Sequence, residues 1–236
     1  MITKDFKDGI KDGIPIALGY FSVSMAFGLS AAMLGFPVWS AVILSLTNVT
    51  SAGQAAAVQI MAQCGKLLEL VLTTLIINMR YFLMSLSLSQ KVSGEMTVAE
   101  RLMASFGITD EVFAVSMQRK TPITFSYMAG VILLPVIGWT SGTFTGAVAT
   151  KVLPEALSAA MGIALYGMFV AIIIPPAREN KDVLKAILMA VIASLCFAYV
   201  PVFRCVSSGW AIIIITVLVS AVSATFMPIK GDAENE

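Results

Sequence analysis

Long apolar segments are the feature that most limits what this chain can fold into. Six stretches of about 20 or more mostly apolar residues follow one another, and this is the length at which a helix crosses the hydrocarbon core of a bilayer. They cover residues 13–34, 67–90, 122–143, 155–176, 183–203 and 208–228. In lipid only helices and closed barrels satisfy every backbone polar group. The pattern therefore predicts an all-α polytopic membrane protein with six clear transmembrane helices.

The composition excludes several other classes of protein. Only 12% of the residues are charged and 58% are hydrophobic, whereas an average soluble domain has about 25% charged residues. The 15 Lys and Arg residues are balanced by 14 Asp and Glu residues, so there is no basic excess for nucleic acid. The sequence has no histidine, which excludes Ser-His-Asp hydrolysis and His-ligated zinc.

A seventh segment, residues 38–63, is uncharged but interrupted by polar residues. Its middle, residues 47–54, reads TNVTSAGQ, and we expect it to be unwound. Non-helical backbone at membrane depth is tolerated only inside protein or beside a water-filled cavity. We therefore predict a broken or re-entrant segment.

An eighth segment, residues 97–118, is also predicted to be broken or re-entrant. Thr97 and Glu100 form the pattern of a capping box, Gly107 interrupts the helix, and Thr109 can cap a second one. The segment carries four charged residues, and each costs about 2.5–3.5 kcal/mol at the centre of a lipid-facing helix. It should not face lipid, and the number of crossings, six or eight, stays open.

The basic residues predict that both termini lie in the cytoplasm. If neither interrupted segment crosses, eleven of the 15 basic residues fall on one side and three on the other, while Arg80 lies inside a span. Cytoplasmic loops are the ones enriched in Lys and Arg. The bias persists if both segments cross and is lost if only one does. We expect one transmembrane domain over 1–236 in the cytoplasmic (plasma) membrane, with short cytoplasmic ends at 1–12 and 229–236.

Arg80 is the single residue that most strongly indicates a functional site. At 1.5 Å per residue it lies about 20 Å from Leu67 at one end of its span and about 15 Å from the other end. A deep arginine is costly unless it is paired, and by default it marks a functional site. Its planar guanidinium suits an anionic group such as a substrate carboxylate. A structural ion pair with Asp110, Glu111 or Glu69 is the other interpretation, and the two are compatible if substrate competes for the arginine.

Six further polar residues are candidates to bind substrate. Two of them lie beside Arg80 and share a helix face, and four lie in the middle of segment 38–63. They are Asn78 and Tyr81, then Asn48, Thr50, Ser51 and Gln54. Interrupted membrane segments are the best pointer to a transport site that a sequence offers. The alternative is a polar seam between packed helices.

Asp110 and Glu111 are the acidic pair that could reach membrane depth. A desolvated carboxylate is pushed towards its neutral form, so either could carry a coupling proton. Two acids in the first turn of a helix also complement its dipole, and this explanation is equally open.

Nothing in the sequence predicts a metal or cofactor site, a catalytic residue or a disulfide framework. The three cysteines, Cys64, Cys196 and Cys205, are scattered, and free cysteines are among the most buried residues. We expect them to be small core residues.

Several motifs, spread over nearly the whole chain, are specific when taken together. They are GIPIALGYFSVSMAFG near the start, NMRYFLMSLSLS around Arg80, FGITDEVFAV around Asp110 and Glu111, and GWTSGTFTGA, LPEALSAAM and ALYGMFVAIIIP further on. In these motifs the chain resembles the AzlC family, the large subunits of two-component branched-chain amino acid exporters. One departure is that the family's second segment usually has the pattern F-A-G-small-A-Q, where this chain has SAGQAA.

The resemblance implies a membrane subunit, not an enzyme, that exports branched-chain or related apolar amino acids with the proton gradient. It also implies a small membrane partner of the AzlD family. On this reading Arg80 holds the substrate carboxylate, the 47–54 break supplies polar contacts, and Asp110 or Glu111 carries the proton. The alternative function is a channel-like or structural membrane subunit without ion coupling. An intramembrane enzyme is disfavoured because Asp110 and Glu111 are adjacent in the chain and histidine is absent.

Overall fold

A computed structural model describes residues 2–150, 167, 170, 173–203 and 205–227. The chain divides into two compact units. The first comprises Met1–Val58 and Ile77–Leu165, and the second comprises Gln59–Ile76 and Tyr166–Glu236. Two of the boundaries between them, Val58/Gln59 and Ile76/Ile77, fall inside helices.

Helices make up nearly all of the described chain. In order they are α1 (Ile2–Met33), α2 (Val38–Thr47), α3 (Ser51–Ala62), α4 (Leu67–Ser89), α5 (Val98–Phe106), α6 (Asp110–Gln118), α7 (Phe125–Ala149), α8 (Lys181–Tyr199) and α9 (Ser208–Phe226). A short 3-10 turn, Pro201–Phe203, precedes α9. The all-α prediction is confirmed for the residues that the structure describes.

Five of the described helices are long and apolar enough to cross a membrane. They are Lys4–Met33 within α1, then α4, α7, α8 and α9. They correspond to five of the six predicted spans. The remaining one, 155–176, lies largely outside the described residues, and so does the predicted end at 229–236. The count of six and the cytoplasmic placement of the termini stay predictions.

In the first unit, α1 and α7 pack against each other through glycines. A Cβ added to Gly28 would collide with the backbone of Thr143, and one added to Gly146 would collide with the backbone of Met25. Small residues let two membrane helices approach backbone to backbone. At one end of the pair Asp5 accepts hydrogen bonds from Arg119 (2.6 Å) and from Thr124 (2.8 Å). The α1–α7 pair is therefore a closely packed scaffold.

Both interrupted segments are broken, as predicted. α2 ends at Thr47 and α3 begins at Ser51, so the break is shorter than the expected 47–54. In the second segment Thr97 and Glu100 form the predicted capping box, and Gly107 is the C-cap of α5. Hydrogen bonds from the backbone and side chain of Thr97 lower the pKa of the Glu100 carboxyl.

Helix α7 begins at Phe125, three residues later than the span predicted to start at 122. The reason is a contact distant in sequence. The N–H of Ile123 donates to Lys91 O (3.0 Å), and its carbonyl accepts from Ser93 N (2.8 Å). This bridge uses the backbone of Ile123 in an extended conformation, so Thr124 becomes the N-cap.

The prediction that the three cysteines are small core residues is wrong, because all three are exposed in this chain. Cys64 follows the end of α3 with a φ of 56°. Its N–H donates to Met61 O, and the next N–H, of Gly65, donates to Ile60 O. This is the Schellman arrangement that ends many helices, and it places a left-handed residue where glycine is usual.

Replacing Cys64 with glycine is expected to stabilise the protein by about 0.5–1 kcal/mol. The left-handed conformation costs an L-residue about 1–2 kcal/mol, part of which is offset by the greater freedom of glycine in the unfolded chain. Thermal unfolding in detergent measures the change. Gly35→Ala is the matched control of opposite sign, since Gly35 follows the end of α1 with a φ of 87°. A lower melting temperature for Cys64→Gly would contradict the expectation.

Candidate functional site

Arg80 on α4 pairs with Asp110, the first residue of α6. Its Nη1 lies 2.9 Å from Asp110 Oδ2, and the two side chains are 40% and 41% exposed. Of the three acids considered as partners, Asp110 is thus the one that meets the arginine in the first unit. Within the second unit, Glu69 instead accepts hydrogen bonds from Ser207 Oγ and Gly209 N. Both side chains of the ion pair are thus partly exposed.

The remaining nitrogens of the Arg80 guanidinium are only partly used. Nη2 donates to the Tyr81 hydroxyl (3.1 Å), and the guanidinium carbon lies 4.9 Å from the centre of the Tyr81 ring. Nε is buried and has no hydrogen-bond partner among the described residues. The guanidinium therefore has donor capacity beyond what its two neighbours take up.

Glu111, adjacent to Asp110 in the chain, contacts a different partner. Its Oε2 accepts a hydrogen bond from the hydroxyl of Tyr20 on α1, and Tyr20 is buried. The two acids that sequence reasoning could not tell apart are thus separated by their contacts, because Asp110 joins the arginine and Glu111 joins a buried phenol.

The α2–α3 break is joined to α4 through Thr50. Asn48 closes α2, and its carbonyl accepts from Thr50 N (2.9 Å). The Thr50 hydroxyl donates to Asn78 Oδ1 (2.9 Å) and accepts from Gly53 N (3.4 Å). Ser51, the first residue of α3, is partly buried. Asn78 lies two residues before Arg80, so this bond connects the break to the helix that carries the arginine.

Gln54 is fully buried, and both ends of its amide are engaged. Its Nε2 donates to Ser45 Oγ on α2 (2.8 Å), and its Oε1 accepts from Trp139 Nε1 on α7 (2.7 Å). Ser45 Oγ also lies 2.7 Å from the Thr143 hydroxyl. Gln54 therefore spans the break from α3 to α2 and ties both helices to α7.

Sequence reasoning missed Trp139, Ser45 and Thr143, which complete this network. All three are buried. Trp139 is the one with a readable signal, since a buried indole N–H usually needs an acceptor. The acceptor, Gln54, lies 85 positions away, and no local pattern predicts that pairing.

The site is built from polar and charged side chains without a metal-binding arrangement. Within the described ranges there is no group of three His, Cys, Asp or Glu residues that could hold a metal ion. Arg80 and Asp110 place one positive and one negative group side by side.

Comparisons with known proteins agree with this membrane architecture. The family model of AzlC proteins matches residues 15–153. The inner membrane protein YgaZ of Escherichia coli K12 is 27% identical over 205 residues, which cover 84% of each chain. An uncharacterized membrane protein of Archaeoglobus fulgidus is 28% identical over 172 residues, 72% of this chain and 75% of its own.

One relative has a name that states an activity. The branched-chain amino acid transport protein AzlC of Bacillus subtilis 168 is 24% identical over 146 residues, which are 61% of this chain and 57% of that protein. No solved structure matches the chain. The names of the relatives and the five apolar helices confirm that it is a membrane protein. Because the family match covers more than half of the chain and includes Arg80, Asp110, Glu111 and Trp139, the chain belongs to the AzlC family.

Proposed function

We propose that this chain is the large subunit of an exporter that moves branched-chain or related apolar amino acids out of the cell in exchange for protons. The observation that carries the proposal is the half-exposed Arg80–Asp110 pair, which presents one positive and one negative charge side by side. The name of the Bacillus subtilis relative supports the class of substrate.

The pair complements the two charges of a free amino acid. A substrate carboxylate can take the place of Asp110 on Arg80, because guanidinium binds carboxylates with two parallel hydrogen bonds. The freed Asp110 carboxylate can then accept the substrate ammonium. Each charge keeps a partner when the zwitterion enters, which matters because unpaired charges are costly in a membrane.

The same geometry makes proton and substrate compete. Protonation of Asp110 removes the acceptor for the ammonium group and weakens substrate binding. Ionised Asp110 favours substrate and releases the proton. Proton and substrate therefore weaken each other's binding, so the cycle favours exchange of one proton for one amino acid, and an inward proton gradient drives export.

The α2–α3 break supplies the other polar groups in this proposal. Asn48, Thr50 and Ser51 line the end of the break, and Asn78 connects it to α4. Tyr81 lies against Arg80. These residues are proposed to contact the backbone atoms of the substrate.

A small AzlD-like membrane subunit is the proposed partner. In the second unit none of the residues of α8 is buried, although the helix is apolar enough to span a bilayer. Its surface must therefore be covered by lipid or by another helix. Co-purification of the chain with a tagged AzlD-like subunit tests the partnership. Loss of the chain from the tagged subunit during stringent washing would count against it.

Transport is tested in proteoliposomes that contain the chain and its small partner. Vesicles preloaded with unlabelled leucine should accumulate external radiolabelled leucine, isoleucine and valine by counterflow, and should discriminate against glutamate and lysine. In a separate assay of net leucine efflux into medium without amino acid, a pH-sensitive dye should record about one proton entering per amino acid released. Empty vesicles and the Arg80→Ala variant are the controls.

Two outcomes would change the assignment. Leucine flux without any proton flux would favour the alternative function, a channel-like subunit without ion coupling. The absence of flux for every amino acid, with folded protein in the membrane, would refute the exporter.

A further inference from the structure

Trp139 lies between two parts of the candidate site that are on different helices. Its ring packs edge-on against Tyr20, with centroids 5.2 Å apart and an interplanar angle of 70°, and the Tyr20 hydroxyl donates to Glu111. Its indole N–H donates to Gln54 (2.7 Å), which spans the α2–α3 break. One side chain thus connects the second acid of the site with the break.

We propose that Trp139 is a positioning residue that couples changes in the charge or position of the Glu111 side chain to the geometry of the α2–α3 break. The proposal deepens the transport function given above and rests on it, because it assigns a regulatory connection within the same site. Neither Trp139 nor Tyr20 needs to touch the substrate for this role.

The surroundings of Trp139 favour such a connection. Trp139 is 2% exposed, Tyr20 is 8% exposed and Gln54 is fully buried. Close-packed interiors transmit displacements because the side chains have little free space. Tyr20 and Trp139 also belong to the α1–α7 scaffold, whose glycine contacts leave little room for sliding. A change at Glu111 that moves the Tyr20 ring therefore presses on Trp139.

The connection is mechanical and does not conduct protons. An indole N–H donates a hydrogen bond but cannot accept one, and the contact between Tyr20 and Trp139 is between ring surfaces. Among the residues that the structure describes, no continuous chain of donors and acceptors leads from Glu111 through Trp139 to Gln54. A displacement of Trp139 is passed to the break as a displacement of the Gln54 amide, because both ends of that amide are hydrogen-bonded.

Thiol labelling of the break tests the coupling without measuring transport. The three native cysteines, all exposed, are replaced by serine, and Asn48→Cys adds a reporter at a partly buried position. The purified full chain reacts with a small methanethiosulfonate reagent. Glu111→Gln should change the labelling rate at position 48 at least about fivefold, in the range of ordinary coupling energies. In the Trp139→Phe background the same substitution should leave the rate unchanged.

Matched variants separate positioning from mere packing. Trp39→Phe removes an indole from an exposed place on α2 and should preserve the effect of Glu111→Gln. Trp139→Phe leaves Gln54 Oε1 without its donor, so a second background, Trp139→Phe with Gln54→Met, removes both partners. Replacing both partners of a buried hydrogen bond is often close to neutral for stability. This background should fold normally and still lack the coupling.

The outcomes distinguish this proposal from the transport function. An equal response to Glu111→Gln with and without the Trp139 indole would overturn the coupling, and so would the absence of any response in the protein that retains Trp139. Intact coupling in a protein that transports no amino acid would refute only the exporter. Transport by the wild-type protein with no coupling would refute only the role of Trp139.

Discussion

Arg80→Ala is expected to reduce amino acid counterflow at least about 100-fold, to the level of empty vesicles. The substitution removes the only group of the Arg80–Asp110 pair that can bind the substrate carboxylate. Two hydrogen bonds to a charged group contribute about 1.5–3 kcal/mol each, and each 1.4 kcal/mol is a factor of ten. Initial rates of leucine uptake in the proteoliposomes described above provide the measurement.

Arg101→Ala is the matched control, because Arg101 lies exposed on α5. It should keep nearly the wild-type rate. Arg80→Lys should fall between the two, because it retains the charge and loses the planar fork. Size-exclusion profiles of all three variants establish that the protein is folded.

A further variant distinguishes substrate binding from a purely structural ion pair. If Arg80 served only to neutralise Asp110, then Arg80→Ala combined with Asp110→Ala would remove both charges together and restore transport. We expect the double variant to be folded and inactive. Recovery of leucine counterflow in it would refute the proposed role of Arg80.

The sequence predicted those parts of the fold and site that depend on local patterns. Apolar length identified five spans that the structure describes, and the capping pattern at Thr97 and Glu100 identified the start of α5. The cost of a deep arginine narrowed the partner of Arg80 to three acids, because such a charge requires an opposite one nearby. These inferences need only neighbouring residues and the properties of the bilayer.

The remaining features depend on contacts between distant segments, which one sequence cannot predict. The bridge at Ile123 moves the start of α7 to Phe125 although Pro122 is a good first residue for a helix. The break at 48–50 is short because Thr50 caps α3 from one side and meets Asn78 on the other. The indole of Trp139 meets Gln54 only in the folded chain, because the two residues are 85 positions apart.

The assignment of the proton to Asp110, rather than to Glu111, leads to a second large effect. Asp110→Asn is expected to abolish transport driven by a pH gradient. An amide cannot take up and release the coupling proton, so substrate binding no longer depends on protonation. Counterflow should persist with a KM raised about tenfold or more, because the ammonium group loses a charged acceptor worth about 1.5–3 kcal/mol.

Glu111→Gln is the matched control, since it removes the same charge one residue further along α6. Asp110, the proposed proton carrier, keeps its carboxyl in this variant, so transport should remain coupled to the pH gradient. The measurement is leucine export from vesicles with and without an imposed pH gradient, together with dye-reported proton flux. If Glu111→Gln uncouples transport while Asp110→Asn leaves it coupled, the proton is carried by Glu111. The competition between proton and ammonium at the Arg80–Asp110 pair would then be wrong, although Arg80 would still bind the carboxylate.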